Sequence, residues 1–135
     1  MVVHKPSPLT PLPKGEGKRV LIVAIGSMVC PSIEAAKILQ CACTVINARF
    51  VKPLDRDLIL AESKNADLIV TVEEGCLMGG FGSAVMELLE KENILKPVKR
   101  IGLPDKFIEA GKRDFILDKY GLDSKGIKKT INGLV

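Results

Sequence analysis

Residues 67–89 read DLIVTVEEGCLMGGFGSAVMELL, and their reading decides the fold. Leu68, Ile69, Val70 and Val72 are the branched apolar residues favoured by a strand covered on both faces. The apolar run is expected to stop at Glu73 and Glu74. Gly75, Gly79, Gly80 and Gly82 then permit a sharp turn and a close backbone approach. From Phe81 the spacing becomes helical, through Ala84, Val85, Leu88 and Leu89. A buried strand, a glycine turn and an amphipathic helix make one half of a βαβ unit. The turn is expected at the carboxyl edge of a parallel sheet, where open α/β sheets place their binding crevices.

Outward from that unit the same alternation continues. RVLIVAIG, residues 19–26, predicts a central strand, followed by a helix opening at Pro31 and running to about Gln40. Its inward stripe is expected at Ala35, Ile38, Leu39 and Ala42. CTVINARFV, residues 43–51, predicts a second strand carrying Arg49, and Asp55 is placed to cap a helix burying Leu58, Ile59 and Ala61. VKRIGL, residues 98–103, predicts a fourth strand. A short helix over 113–120 is expected to turn Phe115, Ile116 and Leu117 inward. Asp123 caps a last helix, whose stripe is Ile127, Ile131 and Leu134. Strands alternating with helices call for a three-layer αβα sandwich around a mostly parallel sheet.

With 135 residues there is room for one domain. Residues 1–18, MVVHKPSPLTPLPKGEGK, are set apart by Pro6, Pro8, Pro11 and Pro13 and read as an extended or disordered arm, leaving 19–135 as the folded domain. Aromatic residues are only 4% of the chain, so the core must be aliphatic. The net charge of +4 is mild, and its basic clusters lack interleaved aromatics, which argues against nucleic acid. No apolar run approaches the roughly 20 residues of a membrane span, and no signal-peptide pattern is present, so a cytoplasmic location is expected. Cys30, Cys41, Cys43 and Cys76 match neither a zinc site nor a CxxC pair and are expected as reduced thiols.

Few residues point to chemistry. Gly79, Gly80, Gly82 and Ser83 open a helix, where bare amides and the helix dipole suit an anion, although tight packing or an interdomain contact explains the glycines as well. Glu73 and Glu74 are adjacent in a strand, face opposite ways and cannot form one carboxylate pair. Arg49 is expected to pair with one of them or to contact a ligand, and Arg49, Glu73 and Glu74 are candidates for an interface with another domain. Ser27 and Ser83 lack a histidine to activate them, since His4 is the only one. Cys76 and Asp105 fall in turns, and neither is read as catalytic. No catalytic, cofactor-binding or metal-binding residue is assigned.

VTVEE (70–74), GGFGSAV (79–85), IGLPDKFIEAG (101–111) and YGLD (120–123), with NARFVKPLD (47–55), resemble the C-terminal domain of the 1-deoxy-D-xylulose-5-phosphate synthases, a transketolase-like, thiamine-diphosphate-dependent family. The resemblance runs from about Val20 to the end. It implies the transketolase C-terminal fold, and a full-length enzyme that uses thiamine diphosphate and magnesium to condense pyruvate with glyceraldehyde 3-phosphate in isoprenoid-precursor and thiamine synthesis. The family's GDG motif and its cofactor-activating acid are absent from this sequence, and Ala110 stands where many relatives carry histidine. The resemblance therefore implies a non-catalytic assembly or dimerisation domain whose partners are thiamine-diphosphate-binding domains, on the same or another chain, in a homo-oligomer. A subunit of a split enzyme and a stand-alone domain for a small phosphorylated ligand are the alternatives. The arm does not match the family's short first strand, so the sheet is expected to lack that edge.

Overall fold

The computed structural model describes residues 1–4 and 17–135. Five strands form one sheet: β1 Val2–His4, β2 Arg19–Ala24, β3 Ala42–Asn47, β4 Leu68–Cys76 and β5 Val98–Leu103. Their spatial order is β1-β3-β2-β4-β5. The four longer strands are parallel, while β1 runs antiparallel to β3.

Strand alternation sorts the core into two layers. Val20, Ile22 and Ala24 of β2, with Cys43 and Val45 of β3 and Val70 and Val72 of β4, face one side. There they meet α1 (Val29–Ile38), α4 (Arg113–Lys119) and α5 (Ser124–Asn132) through Ala35, Leu117, Ile127 and Ile131. Leu21, Val23, Ile46 and Ile69 face the other side, against α2 (Arg56–Lys64) and α3 (Phe81–Lys91), which contribute Ile59, Phe81, Val85 and Leu89. The result is the expected αβα sandwich. Among the described residues, no helix is long and apolar enough to cross a membrane.

Two capping expectations are met. Asp55 accepts the Leu58 amide at the start of α2, and Asp123 accepts the Gly126 amide at the start of α5. Both satisfy an amide that the first helical turn leaves without a partner.

Several expectations are corrected. The sheet does have its further edge strand, because Val2–His4 is extended and paired to β3, with Val2 opposite Ile46. The Met1 carbonyl accepts the Asn47 amide at 2.8 Å, and the Met1 amino group donates to the Asn47 carbonyl. The rest of the expected arm, residues 5–16, lies outside the described residues. The second strand ends at Asn47, four residues early, because the Asn47 side chain accepts the Arg49 amide and bends the chain. β4 continues through Glu73 and Glu74 to Cys76. α1 begins two residues before Pro31, which still falls in the first turn, where the missing amide leaves no gap. Its buried stripe is Ser32, Ala35, Ala36 and Leu39, leaving Ile38 exposed. Ala61, Phe115 and Leu134 are also exposed, and α2 buries Leu60 and Ser63 beside Ile59.

Candidate functional site: the carboxyl edge of the sheet

The glycine turn lies where the sequence predicts it, between the carboxyl end of β4 and the start of α3. Its geometry is decided by Glu73. The side chain of Glu73 is buried, with 4% of its surface exposed. Its Oε1 accepts the Phe81 amide at 2.9 Å and its Oε2 accepts the Gly82 amide at 2.6 Å. These are the first two amides of α3, whose N-cap residue, Gly80, has no side chain to satisfy them. The strand thus supplies the anion that the helix terminus attracts.

The glycines allow this approach. A Cβ on Gly80 would collide with Glu73 Oε1 and the Cys76 carbonyl. A Cβ on Gly82 would stand 2.6 Å from Thr71 Oγ1 and 3.0 Å from Arg100 Cδ. Gly79 takes φ +69°, a left-handed conformation that favours glycine. Across from the turn, a Cβ on Gly102 of β5 would meet Leu77, Gly75 and Glu73. Tight helix–sheet packing therefore accounts for Gly80, Gly82 and Gly102, and the positive φ for Gly79.

Ser83 does not face outward as a free hydroxyl. It donates to the Leu77 carbonyl at 3.2 Å, and Arg100 Nη1 donates to both Ser83 Oγ and the Leu77 carbonyl, at 2.9 and 3.0 Å. Arg100 stitches β5 to the glycine turn. No sequence pattern marks this role, since Arg100 sits in an edge strand among basic residues and its partners are 17 and 23 positions away.

Glu74, the next residue, serves the opposite face. Its carboxylate receives Arg113 Nε at 3.1 Å and Arg113 Nη2 at 2.6 Å, together with the Ser27 hydroxyl. The bonds from Arg113 first, and from Ser27 second, hold its pKa below the ordinary carboxylate range, against a smaller opposing effect of burial. The pair ties α4 to the end of β4. Arg113 is the second partner that sequence reasoning missed.

Arg49 reaches neither carboxylate. It lies past the end of β3, exposed, with φ +61°, so the expected ion pair is corrected. The Cys76 thiol donates to Asp105 Oδ1 at 3.7 Å, and both residues are exposed at this edge. A shallow groove of about 490 Å3 runs beside the turn, lined by Val51, Lys52, Leu54, Gly80, Ser83 and Leu88, among others. Phe50 and Met78, at 64% and 72% exposure, stand in the loops after β3 and β4.

The chemistry open to this edge is limited. The two amides that would grip a phosphate are already engaged by a carboxylate, which also repels a second anion, so a diphosphate group does not fit the glycine turn. Among the described residues, no group of three or more His, Cys, Asp or Glu side chains could hold a metal ion.

Comparison with known proteins agrees with the fold. The family model for the transketolase C-terminal domain matches residues 12–127. A 1-deoxy-D-xylulose-5-phosphate synthase from Caldanaerobacter subterraneus subsp. tengcongensis is 49% identical over 137 residues, covering 96% of this chain and 22% of the relative. One from Paraburkholderia xenovorans is 49% identical over 130 residues, covering 90% and 20%. A solved structure described as a split gene transketolase, inactive beta4 tetramer, superposes with a TM-score of 0.79 at 37% identity, covering 87% of this chain and 39% of that one. The chain spans about a fifth of the length of these curated relatives. It belongs to the transketolase C-terminal domain family and is homologous to the C-terminal region of 1-deoxy-D-xylulose-5-phosphate synthase.

Proposed function

We propose that this chain is a non-catalytic assembly and dimerisation domain of a 1-deoxy-D-xylulose-5-phosphate synthase-like enzyme, which acts in isoprenoid-precursor and thiamine supply. It packs against thiamine-diphosphate-binding domains and contributes no reacting group of its own. The observation that carries this reading is the state of the carboxyl edge. Glu73 is engaged by helix amides, Glu74 by Arg113 and Ser27, and Arg100 by Ser83 and the Leu77 carbonyl. A general acid, base or nucleophile needs a lone pair or proton that it can bring to a substrate, and these groups direct theirs to one another. The open outer edge of β5, last in the strand order, and the exposed Phe50 and Met78 suit contact with further protein.

The likeness to a split gene transketolase favours a second reading, in which the catalytic domains sit on a separate polypeptide. One experiment addresses both. The purified chain is assayed with thiamine diphosphate, magnesium, pyruvate and glyceraldehyde 3-phosphate, and its mass in solution is measured by light scattering. The expected result is a dimer or larger assembly with no turnover. Turnover by the chain alone overturns the assembly reading. Recovery of a thiamine-diphosphate-binding protein in co-purification selects the split-enzyme form.

A further inference from the structure

Far from the glycine turn, at the amino end of β3, two thiols face each other. Cys41 and Cys43 are two positions apart, so their side chains share one face of the extended chain. Their Sγ atoms are 3.6 Å apart, and both are free. Cys43 is 1% exposed within the core layer under α1, whereas Cys41 is half-buried and packs at its margin. We propose that this pair is a redox-modification site, a dithiol that a small-molecule disulfide of the glutathione class converts to a reversible intramolecular disulfide.

The two thiols have unequal parts. Cys41 is the one that solvent reaches. A hydrogen bond from Cys43 lowers its pKa, against the opposing effect of burial. Cys43 is raised by the same hydrogen bond and then by burial, which keeps it protonated until its neighbour reacts. The Cys41 thiolate therefore attacks first. It forms a bond to one sulfur of the small disulfide, and the other half departs as a thiolate that takes up the proton Cys41 gave up. Cys43 then loses its proton and attacks Cys41 Sγ. The second half leaves and takes up that proton. Two protein thiols and one small disulfide become one protein disulfide and two small thiols.

The spacing makes the product labile. Cys41 lies in the bend that enters β3, and residues two apart in extended chain have Cα atoms about 6.6 Å apart, near the upper limit of the roughly 4.4–6.8 Å that a disulfide spans. A bridge closing so short a loop also restricts the unfolded chain very little. Such a bond is no structural staple. It is readily reversed by excess thiol, as regulatory disulfides are.

Trypsin isolates the site, because cleavage after Lys37 and Arg49 yields Ile38–Arg49, which contains Cys41 and Cys43 but neither Cys30 nor Cys76. The chain is treated with oxidised glutathione, alkylated, digested without reductant and weighed. The expected result is a peptide lighter by two hydrogens, carrying no alkyl group, that takes up two alkyl groups after dithiothreitol. The Cys43→Ser variant is expected to retain glutathione on Cys41, since nothing resolves the mixed disulfide. A doubly alkylated wild-type peptide after oxidation overturns the proposal, whether or not Cys30 or Cys76 has reacted. So does a wild-type peptide that stops at the glutathione adduct.

Discussion

Glu73 Oε2 stands 2.6 Å from the amide nitrogen of Gly82, so the third core strand caps the helix that follows it. A helix N-terminus is ordinarily capped by its own preceding residue. Here Gly80 precedes α3, and a buried carboxylate eight and nine residues upstream takes its place. The two amides at the start of α3 already face a carboxylate of the same chain.

Replacing Glu73 with alanine leaves two buried amides without acceptors and removes a charge from the helix terminus. Hydrogen bonds to charged groups and the dipole together predict a loss of about 2–4 kcal/mol in urea unfolding. Glu73→Gln retains one acceptor and is expected to lose about half as much. The same variants test the phosphorylated-ligand alternative. Millimolar phosphate is expected to leave the melting temperature of the wild type unchanged and to raise that of Glu73→Ala. A wild type stabilised by phosphate would show that another group binds the anion.

The sequence revealed the frame more readily than this cap. Continuous apolar runs marked β2 and β4, and aspartates before helical stripes marked Asp55 and Asp123. Alternation also showed that Glu73 and Glu74 part company. It could not show where each carboxylate ends, because Glu73 meets its amides across a turn and Glu74 meets Arg113 39 residues on. Arg49 lies away from both glutamates for a local reason. CTVINARFV is apolar enough for one long strand, but Asn47 accepts the Arg49 amide and turns the backbone to φ +61°. β1 escaped notice because three residues carry too little pattern to separate a strand from a proline-rich arm.

The glycines of the turn are expected to rank by what surrounds them. Gly80→Ala drives a methyl group into Glu73, which cannot yield without breaking the cap, and into the Cys76 backbone carbonyl at the end of β4. A cost of about 2–3 kcal/mol follows from overpacking of this kind. Gly82→Ala meets the buried Thr71 hydroxyl and the Arg100 stem, at longer range than the Gly80 contacts, and offsets part of that clash with helix propensity worth about 1 kcal/mol. Gly79→Ala has open space around it and meets only the strain of its positive φ, about 1–2 kcal/mol. Urea midpoints are expected to fall most for Gly80→Ala. An equal fall in all three would mean that backbone freedom, not close approach, selects these glycines.

Stability is expected to decline in acid partly through Glu74. Its folded-state pKa lies below the ordinary value of 4.5, chiefly because Arg113 donates to it. A carboxyl group depressed on folding adds stability while ionised, and that increment disappears as the pH falls from about 4.5 through the folded value. Glu109, held at about 2 first by its hydrogen bond from Lys119, acts in the same direction. Arg113→Met removes the larger part of the Glu74 contribution and leaves the bond from Ser27. Because the pair is partly exposed and screened by solvent, the cost at neutral pH is expected to be small. The variant's stability should then fall less steeply than the wild type's between about pH 5 and pH 3. Parallel curves would show that the ion pair does not set the slope.

β1 shields an edge that would otherwise be open. It lies along β3 through the Met1–Asn47 bonds and the Val2–Ile46 register, covering a strand whose Val45 and Ile46 are fully buried. Deleting residues 1–4 exposes the β3 ladder groups to water and to other chains. Amide exchange at Asn47 is expected to accelerate, since its acceptor is the Met1 carbonyl. Light scattering is expected to show self-association that grows with concentration, as an uncovered apolar edge pairs with its like. Faster exchange without association would mean that β1 only orders the Asn47 amide. Unchanged exchange at Asn47 would mean that the three-residue strand contributes nothing to the sheet in solution.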